Sequence, residues 1–173
     1  VGEESRKVTT QERLDFEREH LTQRLAEPEL LKEAIPITTH YGSGSEHIEL
    51  AVPLGKLRRG GHVVAPDKDQ GKKIVRLLAK HPGFPKPRVI KSSYYSSSWE
   101  VVWGDPPPFD DRATDGTSET IMRGIHFGYT DEAIAKFVVP QRGFTKKRRI
   151  ALELIARLGC SLRTRQAYPP DAR

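Results

Sequence analysis

HIELAVPLGKLRRGGHVVAPDKDQGKKIVRLLAKHPG, residues 47–83, is where the apolar period changes and the fold class is decided. Ile48, Leu50 and Val52 alternate with polar neighbours, which predicts a strand over 47–54. Residues 62–65 read as its return strand, across a loop whose glycines tolerate φ > 0 and whose tip carries Lys56, Arg58 and Arg59. From Asp67 the period becomes helical. Ile74, Leu77 and Leu78 form a stripe, Asp67 and Gln70 match a D-x-x-Q capping box, and Pro82-Gly83 ends the run. Gly71 costs about 1 kcal/mol against Ala in a helix interior, a cost the first turns can absorb.

Working outward, Leu14, Leu21 and Leu25 recur at helical spacing within 9–34, with Thr10 expected as the cap and Pro28 opening a second short turn. Downstream, 88–95 and 98–103 read as two strands joined through serines. Tyr94, Tyr95, Trp99 and Trp103 concentrate there. Exposed, they could stack bases; buried, they anchor the sheet, which is the commoner fate of large aromatics. The order α-β-β-α-β-β predicts an α+β fold: a four-stranded antiparallel or mixed sheet with covering helices, followed by a basic C-terminal helix pair. The alternating βαβ units of a doubly wound sheet are absent.

Residues 104–120 (GDPPPFDDRATDGTSET) hold almost no apolar side chains and read as a flexible loop or linker. They divide the chain into a body with an N-terminal helix, 1–103, and a basic helical region, 121–173. Within the latter, TDEAIAKFVVPQRGFTKKRRIALELIARL (130–158) reads as two helices. Thr130 caps the first, and Ile134, Phe137 and Val138 supply its inward face. Ile150, Ala151, Leu154, Ile155 and Leu158 supply that of the second. The connection, about six residues, is longer than the three or four of a helix-turn-helix, so the pair is only helix-turn-helix-like.

Charge is segregated. The total is +6, but residues 136–173 carry ten Lys/Arg against Glu153 and Asp171, giving +8 and leaving −2 for residues 1–135. Lys146, Lys147, Arg148 and Arg149 open the second helix, where the backbone's partial positive charge makes them locally unfavourable by about 0.3 to 1 kcal/mol each. An anion reverses that sign, since phosphate meets free N–H groups and cations together at a helix start. These four, with Arg163 and Arg165 and secondarily Arg58 and Arg59, are the candidate nucleic-acid contacts, DNA before RNA, as expected of a regulator. Docking of the basic helix on an acidic protein surface is the alternative.

Enzymatic chemistry has little to stand on. The six histidines show no metal-ligand spacing, Cys160 is the single cysteine, and no phosphate-binding glycine loop or nucleophile elbow occurs. Asp110 and Asp111 lie in the linker, a poor platform for paired-carboxylate work. Convergence of His62, Asp67 or Glu100 in a pocket would be needed to revive catalysis. No cofactor is implied. No run reaches the roughly 18 to 20 apolar residues of a membrane span. The first residues also lack a signal-peptide core, which together fit a cytoplasmic protein.

Several short motifs resemble a family of small actinobacterial proteins of unknown function. They are Glu27-Pro-Glu-Leu-Leu, Arg58-Arg-Gly-Gly, His81-Pro-Gly-Phe-Pro with Arg88-Val, Val102-Trp-Gly-Asp-Pro, and Phe127-Gly-Tyr with Ala133-Ile-Ala. The resemblance covers residues 27 to about 138. It implies one compact domain, with no activity or site residue to carry over.

Overall fold

A computed structural model describes residues 8–42, 44–92, 97–106, 116–138, 150, 152–153 and 155–157, with main chain only for 116–119. The fold is α+β, and the chain divides into two units. The first comprises Val1–Gln23, Pro28–Leu54 and Gly61–Gly104; the second comprises Arg24–Glu27, Gly55–Gly60 and Asp105–Arg173.

In the first unit, helix α1 (Thr10–Thr22) starts from Thr9 rather than the expected Thr10. Only from Thr9 does the third helical residue fall on Glu12. Thr9 Oγ1 then accepts from Glu12 N at 3.2 Å, and Glu12 Oε2 accepts from Thr9 N at 2.8 Å. A 3-10 turn, Pro28–Lys32, follows and buries Leu31.

Strands β1 (Ile35–His40) and β2 (Glu46–Ala51) pair antiparallel, from Ile35 opposite Ala51 to His40 opposite Glu46. Strands β3 (Gly60–Ala65), β4 (Arg88–Lys91) and β5 (Trp99–Gly104) form a second antiparallel sheet in the order β3-β5-β4. Among the described residues, five strands in two sheets replace the expected four in one. The expected return strand of β2 also pairs elsewhere: β3 joins β5, and β2 joins β1.

Loop closure explains the choice. The β1–β2 connection is closed by Tyr41 N donating to Ser45 O at 3.0 Å and Gly44 N to Tyr41 O at 2.8 Å. The link from β2 to β3 spans residues 52–59 and contains Pro53, which has no N–H for a ladder. The shorter loop loses less entropy on closing. A side chain reaches β3 in place of a ladder, as Glu49 Oε2 accepts from Val64 N at 2.8 Å.

Helix α2 (Lys68–Leu78) is capped by Asp67, which accepts from Asp69 N and Gln70 N. Gln70 only partly follows the expected box. Its Nε2 reaches Asp67 Oδ2, but its amide also grips the end of β1, accepting from His40 N at 2.9 Å and donating to His40 O at 2.8 Å. Both main-chain groups of His40 are thereby satisfied. Gly71 is buried for a reason its helix propensity does not show: a Cβ there would lie 3.0 Å from Val89 Cγ1. The glycine lets α2 approach β4.

The core beneath is mainly apolar, with Leu78, Val63, Val101 and Trp103 at 1% exposure or less and Phe84 set edge-on to Trp103 at 5.3 Å; Thr39, at 2%, is its most buried polar side chain. Each such side chain contributes about 1.5 to 3 kcal/mol by leaving water.

In the second unit, α3 (Gly116–His126) and α4 (Asp131–Val138) pack through Ile121, Ile125, Ile134 and Ala135. Helix α3 starts inside the stretch that composition marks as linker. Its signal is the i, i+4 pair Ile121 and Ile125 beyond the polar start. Thr130 caps α4 as expected, its Oγ1 accepting from Ala133 N at 3.1 Å. Phe137, expected inward, is 70% exposed, whereas Ile134 is 3% exposed.

Residues 150, 152–153 and 155–157 are helical, and Ile155 is fully buried in the same core. Ile150 is 51% exposed, and Leu152 packs against the core in its place. Ala151, Leu154 and Leu158 lie outside the described residues.

Candidate functional site

The cations singled out by charge have separate fates. Lys146, Lys147, Arg148, Arg149, Arg163 and Arg165 lie outside the described residues, as do Tyr94, Tyr95, Asp110, Asp111 and Cys160. Arg58 and Arg59 are described, and they belong to a polar cluster in the second unit that the sequence did not reveal.

That cluster is built on the loop 55–60. Its turn is closed by Gly55 N donating to Arg58 O at 3.1 Å. Three successive N–H groups then point at one carboxylate: Lys56 N donates to Glu27 Oε1 at 2.9 Å, and Leu57 N and Arg58 N donate to Glu27 Oε2 at 2.8 and 3.2 Å. Successive amides aimed at one point are a common anion-binding arrangement. Here the anion is the protein's own Glu27.

Arg58 is 6% exposed, so its reading as a phosphate contact is corrected: the guanidinium faces inward. Its Nη1 donates to Phe127 O at 2.6 Å, and the group lies 6.0 Å from the Phe127 ring centroid. Burial pulls the Arg58 pKa below its ordinary value, opposed by the charge and hydrogen bonding of Tyr129. Gly128, at φ 71°, passes directly over this residue; a Cβ there would lie 3.0 Å from Arg58 Cα. Both the positive φ and the close approach demand glycine.

Around it, three backbone crossings hold the segments together. Arg59 N donates to His126 O at 2.9 Å, Asp105 N to Arg59 O at 3.0 Å, and Ala26 N to Gly128 O at 2.9 Å. Thr130 N donates to Arg24 O at 2.8 Å, and the Arg24 guanidinium covers the Tyr129 ring at 4.4 Å. Arg59 is half-buried. Its Nε is buried with no hydrogen-bond partner among the described residues, and Asp105 Oδ2 lies 3.7 Å away, within ion-pair range but too far for a hydrogen bond.

His126 is 3% exposed. Desolvation lowers its pKa to about 4; Arg58 and Arg59 push the same way, while the Asp105 charge and backbone carbonyl oppose them. The imidazole is therefore neutral at pH 7. Arg58 and His126 are both closed to solvent, and the cluster they anchor braces the loop 55–60. Residues from four of the short motifs quoted above meet here: Glu27, Arg58 to Gly60, Asp105, and Phe127 to Tyr129.

The first unit holds a different arrangement. Trp103 is buried, as expected of a sheet anchor, but Trp99 is only partly buried against the core. Lys91, directly opposite Trp99 in the β4–β5 register, places its ammonium 5.0 Å from the Trp99 ring centroid. Lys68, the first residue of α2, places a second ammonium 5.3 Å from the same centroid. Of the residues that would have supported catalysis, Asp67 is committed as a cap, and Glu100 Oε1 accepts from Ser92 Oγ at 2.6 Å. Among the described residues, no group of three or more His, Cys, Asp or Glu is placed to hold a metal ion, and no helix is long and apolar enough to cross a membrane.

The chain belongs to a family of unknown function, DUF6302, whose model matches residues 8–169. The match is wider than the stretch carrying the short motifs and takes in the basic C-terminal segment. No curated protein and no solved structure matches it.

Proposed function

We propose, for this member of DUF6302, that it binds nucleic acid, DNA before RNA, through phosphate contacts from Lys146, Lys147, Arg148, Arg149, Arg163 and Arg165. The observation that carries this reading is the charge segregation, +8 in residues 136–173 against −2 in the remainder. A charge needed only for solubility has no reason to collect in one segment, whereas a polyanion rewards it through counterion release. Ile155 supports the reading because its burial ties the helical residues just after the cations to the folded second unit. Arg58, being buried, is left out of the contact set, and Arg59 is at most a minor member.

A second reading draws on Phe137 and Ile150, which are 70% and 51% exposed and flank the basic stretch in sequence. Exposed apolar groups on either side of a cationic run suit an acidic protein surface with an apolar patch.

One experiment separates the two. Mobility shifts with duplex DNA, single-stranded DNA and RNA at two salt concentrations are compared for the wild type and a variant with Lys146, Lys147, Arg148 and Arg149 all changed to Ala. Nucleic-acid binding requires the wild-type affinity to fall steeply with salt, and the variant to lower the log–log slope for duplex by about 3 to 4. Absence of any shift at low salt, or an unchanged variant, rejects the reading. A nuclease-insensitive complex with one acidic protein, lost in the same variant, establishes the second.

A further inference from the structure

We propose that Lys68, Lys91 and Trp99 form a second site, on the first unit, that binds one unpaired nucleotide of a single-stranded nucleic acid. The proposal rests on the reading that the protein meets nucleic acid, but it uses none of the C-terminal cations.

The geometry is unusual for surface lysines. Two ammoniums from different elements, the start of α2 and the edge strand β4, converge on one indole at 5.3 and 5.0 Å. Among the described residues, neither has a carboxylate within ion-pair distance. The acidic neighbours of Lys68 are engaged elsewhere: Asp67 accepts from Asp69 N, Gln70 N and Gln70 Nε2, and Asp69 pairs with Lys72 at 3.1 Å. Glu100, next to Trp99 in β5, projects to the opposite face of the sheet and accepts from Ser92 Oγ. Lys68 also occupies the positive end of α2, so its charge opposes the helix dipole as well as Lys91. Among the described residues, the site thus holds two cations without a carboxylate partner beside a partly exposed indole.

A phosphodiester is complementary to both features. Its oxygens draw the two ammoniums off the ring, and the adjoining base stacks on the indole face they leave. Stacking of this kind accepts any base, so the site reads single-strandedness rather than sequence. Strand order favours access too, since β4 is an edge strand and Lys91 ends it.

Tryptophan emission tests this in the full chain, because Trp103 is 1% exposed and Trp99 is the only other tryptophan. Titration with a short oligothymidylate at low salt is expected to quench the emission, and Trp99→Phe, which keeps the apolar packing, is expected to abolish the change. By anisotropy of a labelled oligothymidylate, Trp99→Ala is expected to weaken binding about tenfold. The double variant Lys68→Ala, Lys91→Ala is expected to lower the salt slope by about 1 to 1.5. The quench persists in the quadruple C-terminal variant if this site is separate, even where that variant has lost duplex DNA. No change in emission with oligothymidylate overturns the proposal whatever the duplex result. Equal quenching by inorganic polyphosphate overturns it too, because a bare polyanion has no base to stack.

Discussion

The two units are held together by different chemistry. The first is a mainly apolar core under two small sheets, in which Trp103, Leu78 and Val63 are almost wholly buried and polar side chains serve as caps and tethers at the margin. The second has its own aliphatic core, but its three chain segments, 24–27, 55–60 and the stretch from 105 onward, are joined by backbone hydrogen bonds and by the buried Arg58 and His126. Continuous segments can be organised by periodic hydrophobicity. Short segments drawn from distant parts of the chain carry too few apolar residues for that, and hydrogen bonds to specific donors and acceptors take over.

The contrast can be broken most severely at Trp103. Trp103→Ala is expected to cost about 3 to 5 kcal/mol by urea denaturation. Its loss of amide-exchange protection should centre on β3 and β5, and an effect spread evenly over both units would dissolve the distinction. Arg58→Ala is the corresponding cut in the second unit. It removes a buried side chain together with the donor to Phe127 O, for about 2 to 4 kcal/mol. Here exchange should accelerate at 55–60 and 127–130, with β3 and β5 unaffected.

Acid sharpens the same contrast. His126 titrates at about 4 in the folded protein against an ordinary 6.5, so between those values the unfolded chain binds the extra proton. Stability from this group is full above pH 6.5 and is lost as pH falls towards 4, amounting to about 2 kcal/mol between pH 7 and 5. Denaturation midpoints at the two pH values check this, and His126→Asn should flatten the slope. The first unit answers in a lower window. Hydrogen bonds from Gln70 hold the Asp67 pKa down and those from Thr9 hold Glu12 down, so their contributions are full above the ordinary carboxylate range and are lost as pH falls below it, through the lowered folded values.

The smallest effect is at the first helix. Thr9→Ala removes the cap and should cost about 1 kcal/mol, whereas Thr10→Ala should cost little, which a thermal melt of each variant distinguishes.

Much of the first unit was legible. The change of period near residue 66 announces α2 and the strand before it, Asp67 is a readable cap, and Trp103 behaves as large aromatics usually do. Strand pairing was not legible, because β2 presents the same alternation to β1 and to β3 and only the loop lengths and Pro53 discriminate. Helix α3 was hidden behind a polar start. The Arg58 cluster was hidden altogether: Arg58 and Arg59 are identical in type and adjacent, yet one is buried and the other half-exposed. No local property of the sequence separates them.

By itself the sequence determined the α+β class, the helix starts at Asp67 and Thr130, and the concentration of positive charge after residue 135. Those properties depend on period, capping chemistry and composition, which are local. Tertiary structure alone decided which strands pair, that Glu27 fills the ring of amides at Lys56 to Arg58, and that two lysines meet over Trp99. The local cross-strand pair Lys91–Trp99 aside, each of these joins residues more than twenty positions apart or chooses between equivalent partners, and such choices are made by loop closure and shared burial rather than by any one stretch of chain.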